Sequence, residues 1–420
     1  MPRSRALIAA AATVVLSLAL ASCSSDPMPV PTATPSASPA ATGDGVLRIG
    51  TVFPTTGPVA FIGPAQVAGV ELAVREINEA GGVLGKPVAV FHRDSGDAST
   101  GTIEQSFADL LTKKIDVLIG PSSSVLAERL LPRTMDAKIP MISPAATAPN
   151  LTDAHDAGWF FRTIPSAALQ GSALAEIIGK GAPVNVALVY LDDDSGKAIK
   201  ATLTAGLTAV KGKLVAAEKF TSSPTDIAPI VVAVAKAKPD AVVLVSPFST
   251  MDQNKALITA LTAANFGGAK LWLTSQNLAD YSQALPAGVL KDANGILEGA
   301  EPDAAFIRRV TTADPSITNY RYAAESYDAT ILAALAAIVA HDDSGAAIAR
   351  TLRSVSSGGI KCTSFGECLD VLKTESDIDY DGISGPLNLD AAGDPSPAHY
   401  GIYRYDGENR YSRVDGAVAG

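Results

Sequence analysis

Apolar runs of strand length alternate with helix-length amphipathic stretches along this chain, and the alternation starts over halfway through. Few architectures accommodate that order. Residues 46–52 read as a first strand, and 66–79 carry Val67, Val70, Ala73, Val74 and Ile77 on one helical face until Gly81-Gly82 stops it. A strand at 88–91, a helix at 102–112, a strand at 115–119, a helix at 124–136 and a strand at 139–143 follow. Such a βαβα series builds a doubly wound parallel sheet. After Phe160-Phe161-Arg162-Thr163 the pattern resumes, with strands at 184–190, 214–220, 241–245 and 270–274, the last of this half. Helices at 169–178, after Ser195, at 227–237 and at 256–264 accompany them. The expected fold is α/β, two Rossmann-like doubly wound lobes facing a cleft. Residues 304–355 read as mostly helical, most strongly at 327–339, and the tail as two short strands, 386–389 and 400–405.

The first residues set the compartment. Arg3 and Arg5 precede an apolar stretch from Ala6 to Ala21, too short for a comfortable membrane span, which reads as a signal peptide over 1–22. It ends in Leu20-Ala21-Ser22-Cys23, which resembles a bacterial lipobox, so Cys23 is the expected lipidated residue. Residues 24–45 are rich in Pro, Ser, Thr and Ala and cannot bury enough surface to offset their ordering entropy. They read as a disordered tether. No later run is expected to span a membrane, so membrane contact is through the lipid alone.

Composition narrows the partners. The net charge of −10 becomes −12 without Arg3 and Arg5, and no basic patch appears, which argues against nucleic acid. Cys362 and Cys368 lie close together in a chain read as exported, which favours a local disulfide. Two cysteines without clustered histidines make a poor zinc site, and no metal or cofactor is expected.

Two polar breaks follow apolar strands directly: Gly120-Pro121-Ser122-Ser123-Ser124, and Pro144-Ala145-Ala146-Thr147-Ala148-Pro149. In an open parallel sheet, ligands sit outside the carboxyl ends of the strands. Small residues let a ligand approach the backbone, and Ser or Thr adds a hydroxyl beside an amide.

Together with Thr55-Thr56-Gly57-Pro58, Gly69 to Ala73 and Ile77-Asn78 to Gly82, these breaks stand in an order that resembles one family. It is that of the substrate-binding proteins of branched-chain amino acid ABC importers, with the type I periplasmic binding fold. The resemblance covers the chain from Val46 on. It implies two lobes joined by three crossing strands, near Pro165, Gly299 and Gly385. The N-terminal lobe would be 46–165 plus 300–384, and the C-terminal lobe 166–299 plus 385–420. It also implies an ABC permease as partner and no enzymatic activity.

By the same resemblance, the backbone of Ala145 and Ala146 and the amide and hydroxyl of Thr147 meet the ligand's polar head, helped by Ser122 or Ser123. A helix N-terminus behind such a loop favours a carboxylate. Either serine can equally be a helix cap. Phe61 stands where the family often covers the ligand side chain, or is an exposed loop aromatic. Across the cleft, Phe248 and Gln276 depart from the family pattern of a tyrosine and a glutamate that hold the ligand ammonium. A buried ammonium needs charge or several acceptors. The expected ligand is therefore a branched-chain amino acid or a related amide or carboxylate, with an amine-free acid a live alternative.

Asp377, Asp379 and Asp381 match the opening of a calcium loop, but Asn388 stands where the bidentate glutamate is needed, so a turn is expected there. No G-x-S-x-G elbow supports a hydrolase. Import and ligand sensing remain as two readings of one cleft.

Overall fold

The computed structural model describes residues 42–223, 226–247, 250–299 and 302–419. The expected signal peptide, Cys23, the tether up to residue 41 and Phe248 lie outside the described residues.

Five strands form the first sheet: β1 (Arg48–Phe53), β2 (Ala89–Asp94), β3 (Val117–Ile119), β4 (Met141–Ser143) and β5 (Phe160–Arg162). Their order is β2-β1-β3-β4-β5 and every pairing is parallel, with Ile49 beside both Val90 and Val117. Central strands covered on both faces need apolar residues throughout, as in Val117-Leu118-Ile119, all fully buried. One face packs on helices Gly63–Glu79 and Ala323–Ala340, the other on Thr102–Thr112 and Ser124–Ala137.

Helix Ala323–Ala340 corrects one expectation, because by length and hydropathy it could cross a membrane. It is 83% buried over its length, as a core helix is. Its alanines let neighbours approach on every side, which no single apolar stripe would allow.

The second sheet begins with β6 (Asn185–Leu191), β7 (Lys213–Phe220), β8 (Ala241–Val245), β9 (Leu271–Leu273) and β10 (Asn294–Glu298). The chain then returns to the first sheet's helices. There β11 (Ile360–Cys362), β12 (Ile378–Gly382) and β13 (Gly385–Pro386) make a small sheet of three. Cys362 and Cys368 are joined by a disulfide beside it. Asp379 and Asp381 sit on β12, where both accept from the Lys361 ammonium at 2.9 Å, so this segment is a strand and not the expected turn. Finally β14 (Ala398–Tyr405) and β15 (Tyr411–Ala419) complete the second sheet in the order β15-β14-β10-β9-β8-β6-β7. β14 runs antiparallel to β10, and β15 antiparallel to β14. The second series therefore does not end at β9, and the tail holds a hairpin.

Gly120, directly after β3, has φ +100°, and a Cβ there would lie 2.4 Å from the Val52 carbonyl oxygen. Gly120→Ala is expected to cost about 1–3 kcal/mol in urea unfolding. Gly81, at φ +107° with open space around it, is the control. An equal loss at both positions would rule out the close approach to β1 as the cause.

Candidate functional site

The parallel strands of both sheets deliver their carboxyl ends to one cavity of about 550 Å³. From the first sheet come Phe61 and Ile62 after β1, Ser124 after β3, and Thr147 and Ala148 after β4. From the second come Asp193 after β6, Pro247 after β8, and Ser275 and Gln276 after β9. Arg321 and Tyr322, just before helix Ala323–Ala340, complete the lining. This is where an open α/β sheet leaves backbone groups unpaired and convergent.

The loop after β1 is held by Asp94. Its carboxylate accepts from the amides of Thr55 at 2.9 Å and Thr56 at 3.3 Å, and from the Thr56 hydroxyl at 2.5 Å. Partial burial works against its charge, but the Thr56 hydroxyl and the Gly96 and Thr55 amides outweigh it and bring the pKa down to about 2. The Thr-Thr-Gly motif is thus a clamp on an aspartate that fixes the approach to Phe61, whose ring is 60% exposed at the cavity.

The two polar breaks divide their work. Ser122 donates to the Gln66 side-chain oxygen at 2.7 Å, and Ser123 caps helix Ser124–Ala137 by accepting from the Leu126 amide at 3.4 Å. Neither lines the cavity. Its neighbour Ser124 does, and its hydroxyl accepts from the Ala148 amide at 3.1 Å. Ala145 and Ala146 are buried, and their amides donate to the Ser143 hydroxyl at 3.4 and 2.9 Å. Thr147 is the residue of this break that reaches the cavity wall. Its carbonyl accepts from the Ala167 amide at 2.8 Å, while among the described residues no hydrogen bond engages its amide or hydroxyl. The nearby start of helix Ser124–Ala137 adds a positive dipole end.

Gln276 lines the opposite wall, beside Ser275. Ser275 is fixed from behind: its hydroxyl donates to Glu298 at 2.6 Å, and its amide donates to Gln170 at 3.2 Å. Burial raises the Glu298 carboxyl above its ordinary range.

Arg321 was absent from the residues expected at the site. Its guanidinium donates to the Ser275 carbonyl at 3.3 Å and lies 5.2 Å from the Tyr322 ring centre, and these contacts help to orient it. The acidic groups in the lining stand differently. Glu128 is exposed, the Asp194 side chain is 81% exposed, and Asp193 caps its helix by accepting from the Gly196 amide at 2.7 Å. Solvent screens charge at that rim far more than at Arg321.

A family model described as periplasmic binding protein matches residues 46–366. Among curated proteins, the chain is similar to the chemotactic signal transduction system substrate-binding protein BasB of Halobacterium salinarum. The two are 27% identical over 366 residues, covering 83% of this chain and 84% of that protein. Matches to Leu/Ile/Val-binding proteins span half of their length or less, as with the 50% covered in the protein of Escherichia coli K12. Among solved structures, the substrate-binding protein LivJ of Streptococcus pneumoniae in complex with isoleucine superposes with a TM-score of 0.65. Identity is 20%, covering 89% of this chain and 100% of that one. A solute-binding protein of an ABC transporter from R. palustris in complex with benzoate gives 0.61 at 20% identity, covering 90% and 98%. At that identity these structures speak for the fold.

Proposed function

The chain belongs to the periplasmic binding protein family, as a type I member of the branched-chain amino acid group, and from that premise we propose that it captures a small carboxylate-bearing solute for an ABC importer. It is a solute-binding protein and not an enzyme, and its family works outside the cytoplasm. In this reading Cys23 carries the lipid anchor. The two sheets with their helices are lobes that close on the ligand, divided at residues 46–165 with 300–384, and 166–299 with 385–420. The observation that carries it is a cavity shared by the strand ends of both sheets, with Thr147 offering an amide and a hydroxyl. A solute bridging both walls stabilises the closed state by its differential affinity.

Mass spectrometry of the protein taken from its native membrane tests both halves of the proposal. The expected result is a lipidated N-terminal Cys23 and a co-purifying acid released on denaturation. Thr147→Val is expected to weaken binding of that acid by about 1.5–3 kcal/mol in calorimetry, the range for a hydrogen bond to a charged group. An unmodified N-terminus sinks the anchor, and an unchanged affinity sinks the role of Thr147. A second reading is ligand sensing, favoured by the similarity to BasB. Deletion that abolishes a tactic response while leaving uptake intact would select it.

A further inference from the structure

Beside the cleft lies a second, larger cavity of about 770 Å³. It shares Val59, Phe61 and Arg321 with the cleft, so the two spaces meet at those three side chains. Its walls are mainly apolar, with Asp280 and Asn319 as polar exceptions beside Arg321, and they include Leu278 and Leu297, Ile307 and Tyr320, and Tyr403 and Tyr411 from the terminal hairpin. The last two rings pack edge to face, 5.5 Å apart. A leucine side chain would fill only a small part of such a chamber, whereas cavities of this size enclose much larger molecules.

Resting on the solute-binding reading above, we propose that this chamber is the specificity subsite. It takes the apolar body of a monocarboxylate that is longer than leucine and carries no ammonium. The carboxylate stays in the cleft, between the donors of Thr147 and the guanidinium of Arg321. Three observations converge on that class. Among the described residues, Arg321 is the one cationic side chain lining either cavity, and it stands at their junction. Its planar fork suits a carboxylate. Close to it, in the loop after β9 and next to Ser275, stands Gln276, which can accept a hydrogen bond but cannot neutralise an ammonium. Apart from Asn319 and the exposed Asp280, the chamber lining offers mostly apolar surface, which rewards burial in proportion to its area.

Calorimetry on the purified protein with 4-phenylbutyrate, 4-phenylbutyramide, propionate, phenylalanine and leucine tests this. The expected order puts 4-phenylbutyrate at least tenfold tighter than its amide, propionate and either amino acid. Arg321→Gln is expected to weaken the acid at least tenfold while leaving the amide nearly unchanged, with Arg321→Lys between. Ala279→Phe, at a half-buried position in the chamber wall, should weaken 4-phenylbutyrate at least tenfold and spare propionate. Ile307→Phe gives the same test from the other wall if the first variant misfolds. Leucine binding more tightly than 4-phenylbutyrate, insensitive to all these changes, overturns the chamber proposal and leaves the solute-binding reading standing. No binding of any probe, with no solute released on denaturation, overturns both.

Discussion

Arg162→Leu is expected to lower the unfolding free energy by about 3–5 kcal/mol, the range for removing one partner of a buried ion pair. Arg162 ends β5 with no exposed surface, and Asp394 faces it from a loop more than two hundred residues later. The fork is fully used: Nε and Nη2 each donate to an Asp394 oxygen at 2.5 Å. Nη1 donates to the carbonyls of Ala146 and Ala148 at 3.1 Å, and Nη2 also reaches the Thr152 hydroxyl at 2.5 Å. Leucine would strand a buried carboxylate. It would also release the two carbonyls that flank Thr147, so ligand affinity should fall together with stability. Denaturant unfolding of Arg162→Leu, Asp394→Leu and the double variant separates these effects. The double variant should recover part of the loss, because it leaves no unpaired charge. Single variants within 1 kcal/mol of the parent would defeat the argument.

Glu325→Gln is expected to flatten the decline of thermal stability between about pH 4.5 and pH 8. Glu325 is buried in the first turn of helix Ala323–Ala340, and burial pushes its carboxyl up to about 8. Its own backbone amide pulls the other way, while Asp328 and Glu298 add to the rise and Arg321 opposes it. The folded state thus holds this proton more tightly than the unfolded chain, whose carboxyl titrates near 4.5. The stabilisation is complete below that value and is lost as pH rises through about 8, at about 1.4 kcal/mol per pH unit within the window. Asp116, raised to about 7 mainly by burial, contributes a parallel fall that the variant retains. The slope should diminish without vanishing. A variant whose melting temperature follows the parental pH profile would refute this assignment.

Regular elements were legible where one signal dominated. Helices Thr102–Thr112 and Leu169–Ile178 and strand β8 occupy the expected residues, because period and length agree there with no interruption. Three strands that escaped carry breaker residues, Asn294-Gly295 in β10, three aspartate or glycine positions in β12, and Asp415-Gly416 in the edge strand β15, while β11 is only three residues long. Neighbouring strands, not intrinsic preference, hold those segments extended. The cavity was foreseeable at strand ends, which is why Thr147 and Gln276 could be named in advance. Its division of labour was legible only as the alternative of a helix cap at one serine. Ser143, Gln66 and the helix cap take up the groups of Ala146, Ser122 and Ser123, and such pairings exist only once the chain is folded. Arg321 follows no strand and belongs to no motif. Its one trace in the sequence is a cation between two tyrosines at the head of an apolar helix.

The core of the first sheet runs from Leu47 to Leu389, and the backbone at Thr42 and Gly43 is held by Asp342, about three hundred residues away. A chain delivered amino end first therefore cannot close this core until nearly all of it has emerged. Closure over so long a stretch of chain must meet its loop entropy before the contacts reward it, so folding of this core is expected to be slow.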